Sequence, residues 1–112
     1  MIPVRLKNPQ SLLHGQALVF DCIWQQKAHQ GFLIRIHEQY FTYLNQCMHV
    51  PIGLDFDDGD FWNDKLVRIM CKTHGATYMP DTGMCDSGPC RGRKLIALQF
   101  EWDQDDILVW SE

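Results

Sequence analysis

The chain has 112 residues, 46% of them hydrophobic and 21% charged, which is ordinary for a folded protein and supplies one modest core, so we expect a single domain over residues 1–112. Its formal net charge of −4 argues against nucleic-acid binding, which needs clustered Lys and Arg, and suits docking onto a basic protein partner. The longest apolar runs, at 17–20 and 107–110, are far too short to cross a bilayer, so no membrane partner is expected.

Strand signals dominate the chain. A short helical turn is predicted within 8–14, and period-two alternation predicts a strand at 17–24 with one apolar face, formed by Leu18, Phe20, Cys22 and Trp24. Further strands are predicted at 31–37, 40–44, 66–70, 95–102 and 107–110. The last two form a predicted hairpin with its polar turn at 103–106. Close spacing of strands and turns indicates an all-β fold, a small antiparallel sandwich or barrel.

Two short clusters carry the chemistry: Cys47-Met48-His49 and Cys71-Lys72-Thr73-His74. Each pairs one thiolate ligand with one imidazole ligand on a tight loop, and the short spacer can direct both side chains towards a common point. Thiolates hold zinc or iron–sulfur clusters, and neutral imidazoles bind zinc or iron. The four residue types alone therefore leave both a zinc site and an iron–sulfur site open.

The residues after the second cluster are more specific. They read Gly75-Ala76-Thr77-Tyr78-Met79-Pro80-Asp81-Thr82-Gly83, and then Gly88-Pro89-Cys90. This string resembles the Rieske 2Fe–2S family, and more narrowly its small stand-alone Rieske-type ferredoxins of bacteria, over about residues 45–95. The resemblance implies the all-β Rieske fold with two cluster-binding loops. It also implies a Rieske-type 2Fe–2S cluster, with Cys47 and Cys71 on one iron and His49 and His74 on the other.

The same resemblance assigns roles to residues around the cluster. It implies that the hydroxyl of Tyr78 bonds a cysteine sulfur and that Gly88-Pro89 belongs to a loop that covers the cluster. Apart from the resemblance, a glycine directly after a ligand predicts a positive φ at Gly75. Ala76 occupies the position where high-potential members carry a serine hydroxyl. The two positions of their loop-clamping disulfide, 52 and 73, hold no cysteine here. We therefore expect a reduction potential near the low end of the Rieske range of about −150 to +300 mV.

Three functions are compatible with these patterns. The first is an electron carrier between a reductase and an acceptor such as an oxygenase, without substrate turnover of its own, since Rieske oxygenases need a further mononuclear iron domain. The second is a small redox subunit of a larger oxidoreductase, and the third is a zinc-stabilised binding module. The N-terminus lacks the apolar block of a signal peptide, so a cytoplasmic location is expected.

The remaining candidate residues receive structural interpretations. In a reducing compartment Cys85 and Cys90 are expected to be free thiols, and Cys22 to be a small buried hydrophobe. The acidic and aromatic segment 55–64 is expected to be a solvated loop between the two ligand loops, with its three large aromatic side chains against the sheet. Those side chains are Phe56, Phe61 and Trp62. The other three histidines, which show no ligand-like spacing, are expected at the surface: His14, His29 and His37.

Overall fold

The structure is a computed structural model that describes residues 3–48, 53–55, 60–62, 68–73 and 75–110. Over these ranges it contains nine strands and one 3-10 helix, Pro9–Ser11. The strands are β1 (Val4–Leu6), β2 (Ala17–Trp24), β3 (Lys27–Ile36), β4 (Gln39–Leu44), β5 (Ile69–Met70), β6 (Thr77–Tyr78), β7 (Cys85–Ser87), β8 (Gln99–Asp103) and β9 (Asp106–Trp110). All their pairings are antiparallel, so the all-β prediction is confirmed.

The chain divides into two compact units. The first unit consists of Met1–Leu44 and Ala97–Glu112, and the second unit is Asn45–Ile96. The first unit holds the sheets β2-β3-β4 and β1-β9-β8, and the second holds the sheet β5-β6-β7. The organisation as one domain stays a prediction. In the part of the chain that the structure describes, no helix is long and apolar enough to span a membrane.

Tight turns set the register of the first unit. Gln25 and Gln26 join β2 to β3 and both have positive φ, 50° and 66°, which is the combination of a type I′ turn that matches the twist of paired strands. The predicted closing hairpin is confirmed: Asp103 pairs with Asp106, and Gln104 turns the chain at φ 58°. The predicted helical turn is present as the 3-10 helix Pro9–Ser11.

The centre of β3 departs from the predicted alternation. The period-two pattern places Phe32 and Ile34 on the buried face, and both are fully buried, but Leu33 between them is fully buried as well. Because successive side chains point to opposite faces, both faces of β3, the middle strand of its sheet, are covered at this point. The strand also begins four residues earlier than predicted, at Lys27. The reason is that the turn at Gln25 and Gln26 pairs residues 27–34 of β3 with the whole of β2.

Residues 95–98 were predicted to open the strand at 95–102, and this part of the prediction is wrong. The strand begins only at Gln99. The N–H of Leu95 donates to the carbonyl of Gly83 (2.8 Å), whereas the N–H of Leu98 donates to the carbonyl of Thr42 (3.0 Å). Since these two backbone bonds go to different segments, residues 95–98 cannot form one continuous ladder.

The second unit is built from short strands and loops. The sequence did not indicate β6 or β7, and of the predicted strand 66–70 the described part forms β5, while residues 66 and 67 lie outside the described residues. Phe61 and Trp62 are buried as expected, and Phe56 lies outside the described residues. On β7, hydrogen bonds from the hydroxyl of Thr77 (2.6 Å) and the guanidinium of Arg68 (2.8 Å) hold the pKa of Asp86 below its ordinary value.

Candidate metal centre

Both candidate cysteine ligands stand on loops that directly follow a strand. Cys47 comes three residues after the end of β4 and is 1% exposed; Cys71 comes immediately after β5 and is fully buried. Neither forms a disulfide, and both belong to the second unit. Buried thiolates protected from water are the donors that iron–sulfur clusters use, so this half of the ligand set fits the cluster chemistry.

The histidine half of the ligand set cannot be compared with the structure. His49 and His74 lie outside the described residues. Over the described residues no group of three or more His, Cys, Asp or Glu side chains is arranged to hold a metal ion. The assignment of the four ligands therefore remains a prediction at this point.

A chain of hydrogen bonds ties the Cys47 loop to the Cys71 loop. The side-chain oxygen of Asn45 accepts the N–H of Leu54 (2.7 Å), and its side-chain NH₂ donates to the carboxylate of Asp55 (3.1 Å). The carbonyl of Leu54 in turn accepts the N–H of Lys72 (2.8 Å). Leu54 is fully buried, and the two bonds made by the side chain of Asn45 are partly buried. These bonds therefore connect Asn45, two residues before Cys47, to Lys72, one residue after Cys71.

The loop after Cys71 is closed by its own backbone. The N–H of Gly75 donates to the carbonyl of Cys71 (2.7 Å), and the N–H of Cys71 donates to the carbonyl of Ala76 (2.8 Å). Gly75 has φ +76°, which confirms the expected positive φ. A Cβ at Gly75 would meet no atom within 4 Å, so glycine is needed here for its backbone conformation and not for space.

Tyr78 connects the Cys47 loop to the segment 88–90, which we name the proline loop. Its hydroxyl lies 3.8 Å from the Sγ of Cys47 and 3.0 Å from the Sγ of Cys90, and it accepts the N–H of Met48 (3.0 Å). The side chain is fully buried. Burial, with a contribution from the hydrogen bond to Cys90, raises the pKa of Tyr78 far above its ordinary value, so the hydroxyl keeps its proton. The expected contact with a cysteine sulfur is present, and there are two such contacts.

The proline loop packs its backbone against Ala76. Gly88 has φ +103°, and a Cβ there would lie 2.7 Å from the Cα of Ala76. Only glycine allows two backbones to approach this closely. Gly88 and Pro89 themselves are exposed, whereas Cys90 and Ala76 are buried. Nearby, the guanidinium of Arg93 donates to the carbonyl of Met48 (3.1 Å), which further fixes the Cys47 loop.

Two cysteines outside the ligand set belong to this environment. Cys85 and Cys90 are each 2% exposed, their Sγ atoms are 3.2 Å apart, and both are free thiols, as expected. Burial raises the pKa of Cys85 to about 11, with a smaller contribution from the hydrogen bond to Cys90. The sequence spacing gave no signal that Cys90 contacts Tyr78, and none that Asn45 joins the loops.

The remaining candidates lie in the first unit. Cys22 is 5% exposed, which confirms it as a small buried hydrophobe. His14 and His37 are exposed as expected, with their rings stacked at 4.4 Å, while His29 is partly buried.

Comparisons with known proteins agree on the fold and the family. The sequence model of the Rieske [2Fe-2S] domain matches residues 4–107. The ferredoxin of carbazole 1,9a-dioxygenase from Nocardioides aromaticivorans IC177 has a similar structure, with a TM-score of 0.75, 22% sequence identity and 100% of both chains covered. A chain in the complex of reduced oxygenase and oxidised ferredoxin of carbazole 1,9a-dioxygenase gives a TM-score of 0.74 at 21% identity, covering 99% of this chain and 94% of that one.

The same fold occurs within a larger protein. The terminal oxygenase of carbazole 1,9a-dioxygenase from Novosphingobium sp. KA1 matches 98% of this chain with 30% of its own length, at a TM-score of 0.73 and 13% identity. No curated protein matches the sequence. At these identities the structural likeness concerns the fold, whereas the family match extends over almost the whole chain. The chain belongs to the Rieske [2Fe-2S] domain family, and its cofactor is a Rieske-type 2Fe–2S cluster.

Proposed function

We propose that this protein is an electron carrier whose cluster is held by Cys47 and Cys71 on one iron and by His49 and His74 on the other. The observation that supports this most directly is the pair of buried cysteines, neither in a disulfide, on two loops that the Asn45–Leu54–Lys72 hydrogen bonds join. The cluster, when bound, supplies reversible one-electron exchange.

The side chains around this position have separate tasks. Burial of Cys47 and Cys71 excludes water from the thiolates. Tyr78 keeps its proton and offers it to sulfur. The backbone contact between Gly88 and Ala76 holds the proline loop over the Cys71 loop. We assign the chain electron transfer and no substrate turnover of its own, as a component of an oxidoreductase system.

The partners are a reductase that donates the electron and an acceptor such as an oxygenase, in the cytoplasm. The support is that the similar structures include a ferredoxin of carbazole 1,9a-dioxygenase and a chain from a complex of reduced oxygenase and oxidised ferredoxin of carbazole 1,9a-dioxygenase. Both cover nearly the whole of this chain and nearly the whole of their own. The net charge of −4 suits a basic docking surface on the partner.

The decisive experiment is an EPR spectrum of dithionite-reduced protein together with iron and acid-labile sulfide analysis. We expect two iron atoms and two sulfides per chain and the low average g value of a mixed sulfur and nitrogen ligand set. Cys71→Ser should lose the signal, while the matched control Cys22→Ser, at a buried cysteine of the first unit, should retain it. Zinc without sulfide in the wild type would overturn the proposal in favour of a zinc-stabilised module.

A second measurement separates a diffusible carrier from a subunit. Affinity-tagged protein isolated from its own cells should elute as a free small protein on size exclusion. A stoichiometric large partner that survives high salt would establish the chain as a small redox subunit of a larger oxidoreductase.

A further inference from the structure

A buried chain of hydrogen bonds runs from the backbone of β7 to Tyr78. The thiol of Cys85 donates to the carbonyl of Ser87 (3.3 Å), and the thiol of Cys90 donates to the sulfur of Cys85 (3.2 Å). The hydroxyl of Tyr78 then lies 3.0 Å from the sulfur of Cys90. Cys85 and Cys90 are each 2% exposed and Tyr78 is fully buried, so water does not compete for the bonds among these three side chains, and the bond to Ser87 is partly buried.

The number of protons that these groups carry fixes which group donates in each hydrogen bond. Each thiol and the phenol carry one proton. The carbonyl of Ser87 only accepts, so Cys85 uses its proton there, and Cys90 uses its proton on Cys85. The contact between Tyr78 and Cys90 is therefore one in which the hydroxyl of Tyr78 donates. Burial keeps the Cys85 thiol protonated at neutral pH, since its pKa is raised to about 11.

The single proton of Tyr78 consequently faces two sulfur acceptors. One is Cys90 at 3.0 Å, and the other is Cys47 at 3.8 Å. The oxygen of Tyr78 is held between them because it accepts the N–H of Met48 (3.0 Å). As a ligand thiolate Cys47 is the stronger acceptor, but Cys90 has the shorter contact. Whatever share Cys90 receives is withheld from Cys47.

We propose that Cys90, oriented by Cys85, is a positioning residue that draws the Tyr78 proton away from Cys47 and thereby lowers the reduction potential of the cluster. A hydrogen bond to a ligand sulfur stabilises the extra negative charge of the reduced state, so weakening that bond lowers the potential. This inference rests on the proposed function, because it requires Cys47 to be a cluster ligand.

The test is protein-film voltammetry of the cluster-loaded protein under reducing conditions, which keep both thiols reduced. Cys90→Ala removes the competitor, so the potential should rise; a tenfold change in the one-electron equilibrium constant, which is 59 mV, is the expected scale. Cys85→Ala should act in the same direction, because the freed proton of Cys90 can then turn to the oxygen of Tyr78. Cys85→Ser restores both a donor to Ser87 and an acceptor for Cys90, so its potential should stay at the wild-type value.

A background variant distinguishes positioning from a general structural effect. Tyr78→Phe removes the shared proton, so in that background Cys90→Ala should leave the potential unchanged. If Cys90→Ala fails to fold, the Cys85→Ala and Cys85→Ser pair provides the same comparison, again with and without Tyr78→Phe. A shift that persists in the Tyr78→Phe background overturns the inference.

The other possible outcomes bear either on the inference or on the proposed function. The inference is overturned, and the proposed function is left standing, if Cys90→Ala (or Cys85→Ala, where Cys90→Ala does not fold) keeps its cluster absorbance and has the wild-type reduction potential. Loss of the cluster from both alanine variants marks the pair as structural and likewise overturns it. Absence of iron and sulfide from the wild type is the failure of the proposed function itself.

Discussion

Gly88 is the position at which the site makes the sharpest steric demand. Its φ is +103°, and a Cβ built there would lie 2.7 Å from the Cα and 3.1 Å from the Cβ of Ala76. Gly88→Ala therefore has two costs. Holding an L residue at this φ costs roughly 1–3 kcal/mol, and overpacking against main-chain atoms that cannot rotate away costs roughly 1–3 kcal/mol more. We expect the variant to lose roughly 2–6 kcal/mol of folding free energy.

Gly92 provides the matched control. It has a similar φ of +92°, but a Cβ there would meet no atom within 4 Å. Gly92→Ala therefore carries only the backbone cost, roughly 1–3 kcal/mol. The difference between the two variants, roughly 1–3 kcal/mol, isolates the contact between Gly88 and Ala76.

The assay is urea unfolding followed by far-UV circular dichroism, with visible absorbance recorded on the same samples. The midpoint of each variant and the common slope give the change in the free energy of unfolding. We also expect Gly88→Ala, and not Gly92→Ala, to bleach at a lower urea concentration, because Ala76 follows the Cys71 loop. Equal destabilisation of the two variants would show that the proline loop does not press on Ala76.

Four further predictions concern charge, potential and loop closure. Folding lowers the pKa of Asp86, so its ionised carboxylate stabilises the fold at pH values above its unfolded pKa of about 3.9, and this stabilisation is lost as the pH falls through the folded pKa. Asp86→Asn should therefore have a lower melting temperature than wild type at pH 7. A difference in melting temperature that stays constant down to pH 2 would refute this. Ala76→Ser should raise the reduction potential by adding a hydroxyl donor beside the Cys71 loop, as read by voltammetry against Ala76→Gly. Asn45→Ala should cost about 1–3 kcal/mol in urea unfolding, since it removes the acceptor of the backbone N–H of Leu54, and a neutral result would contradict the link. If His49 and His74 bind ferric iron, the potential should fall with rising alkaline pH, because the oxidised state loses imidazole protons first; a flat profile argues against exposed histidine ligands.

Local pattern was sufficient for the longer strands of the first unit and for the ligand-like cysteines of the second, but it did not indicate β1 or the start of β8 at Gln99. Alternation predicted β2 and its buried Phe20 and Cys22, because side chains on a strand change face with every residue. The positive φ at Gly75 was predicted because glycine, which has no Cβ, adopts that conformation more readily than any other residue. The ligand-like cysteines were found because their residue types and spacing are themselves the chemical requirement of the site.

The family, the cofactor and the longer strands could be predicted from the sequence, because each depends on residues close together in the chain. Which groups meet around the site could not be predicted in this way, because it depends on the packing of distant segments. Tyr78 reaches Cys47, which is 31 residues away, and Asn45 reaches Leu54 across nine residues. The two-residue strand β6, which places Tyr78, is too short to leave a periodic pattern. Contacts of this kind arise when separate loops are packed together, and no local preference of either residue encodes its partner.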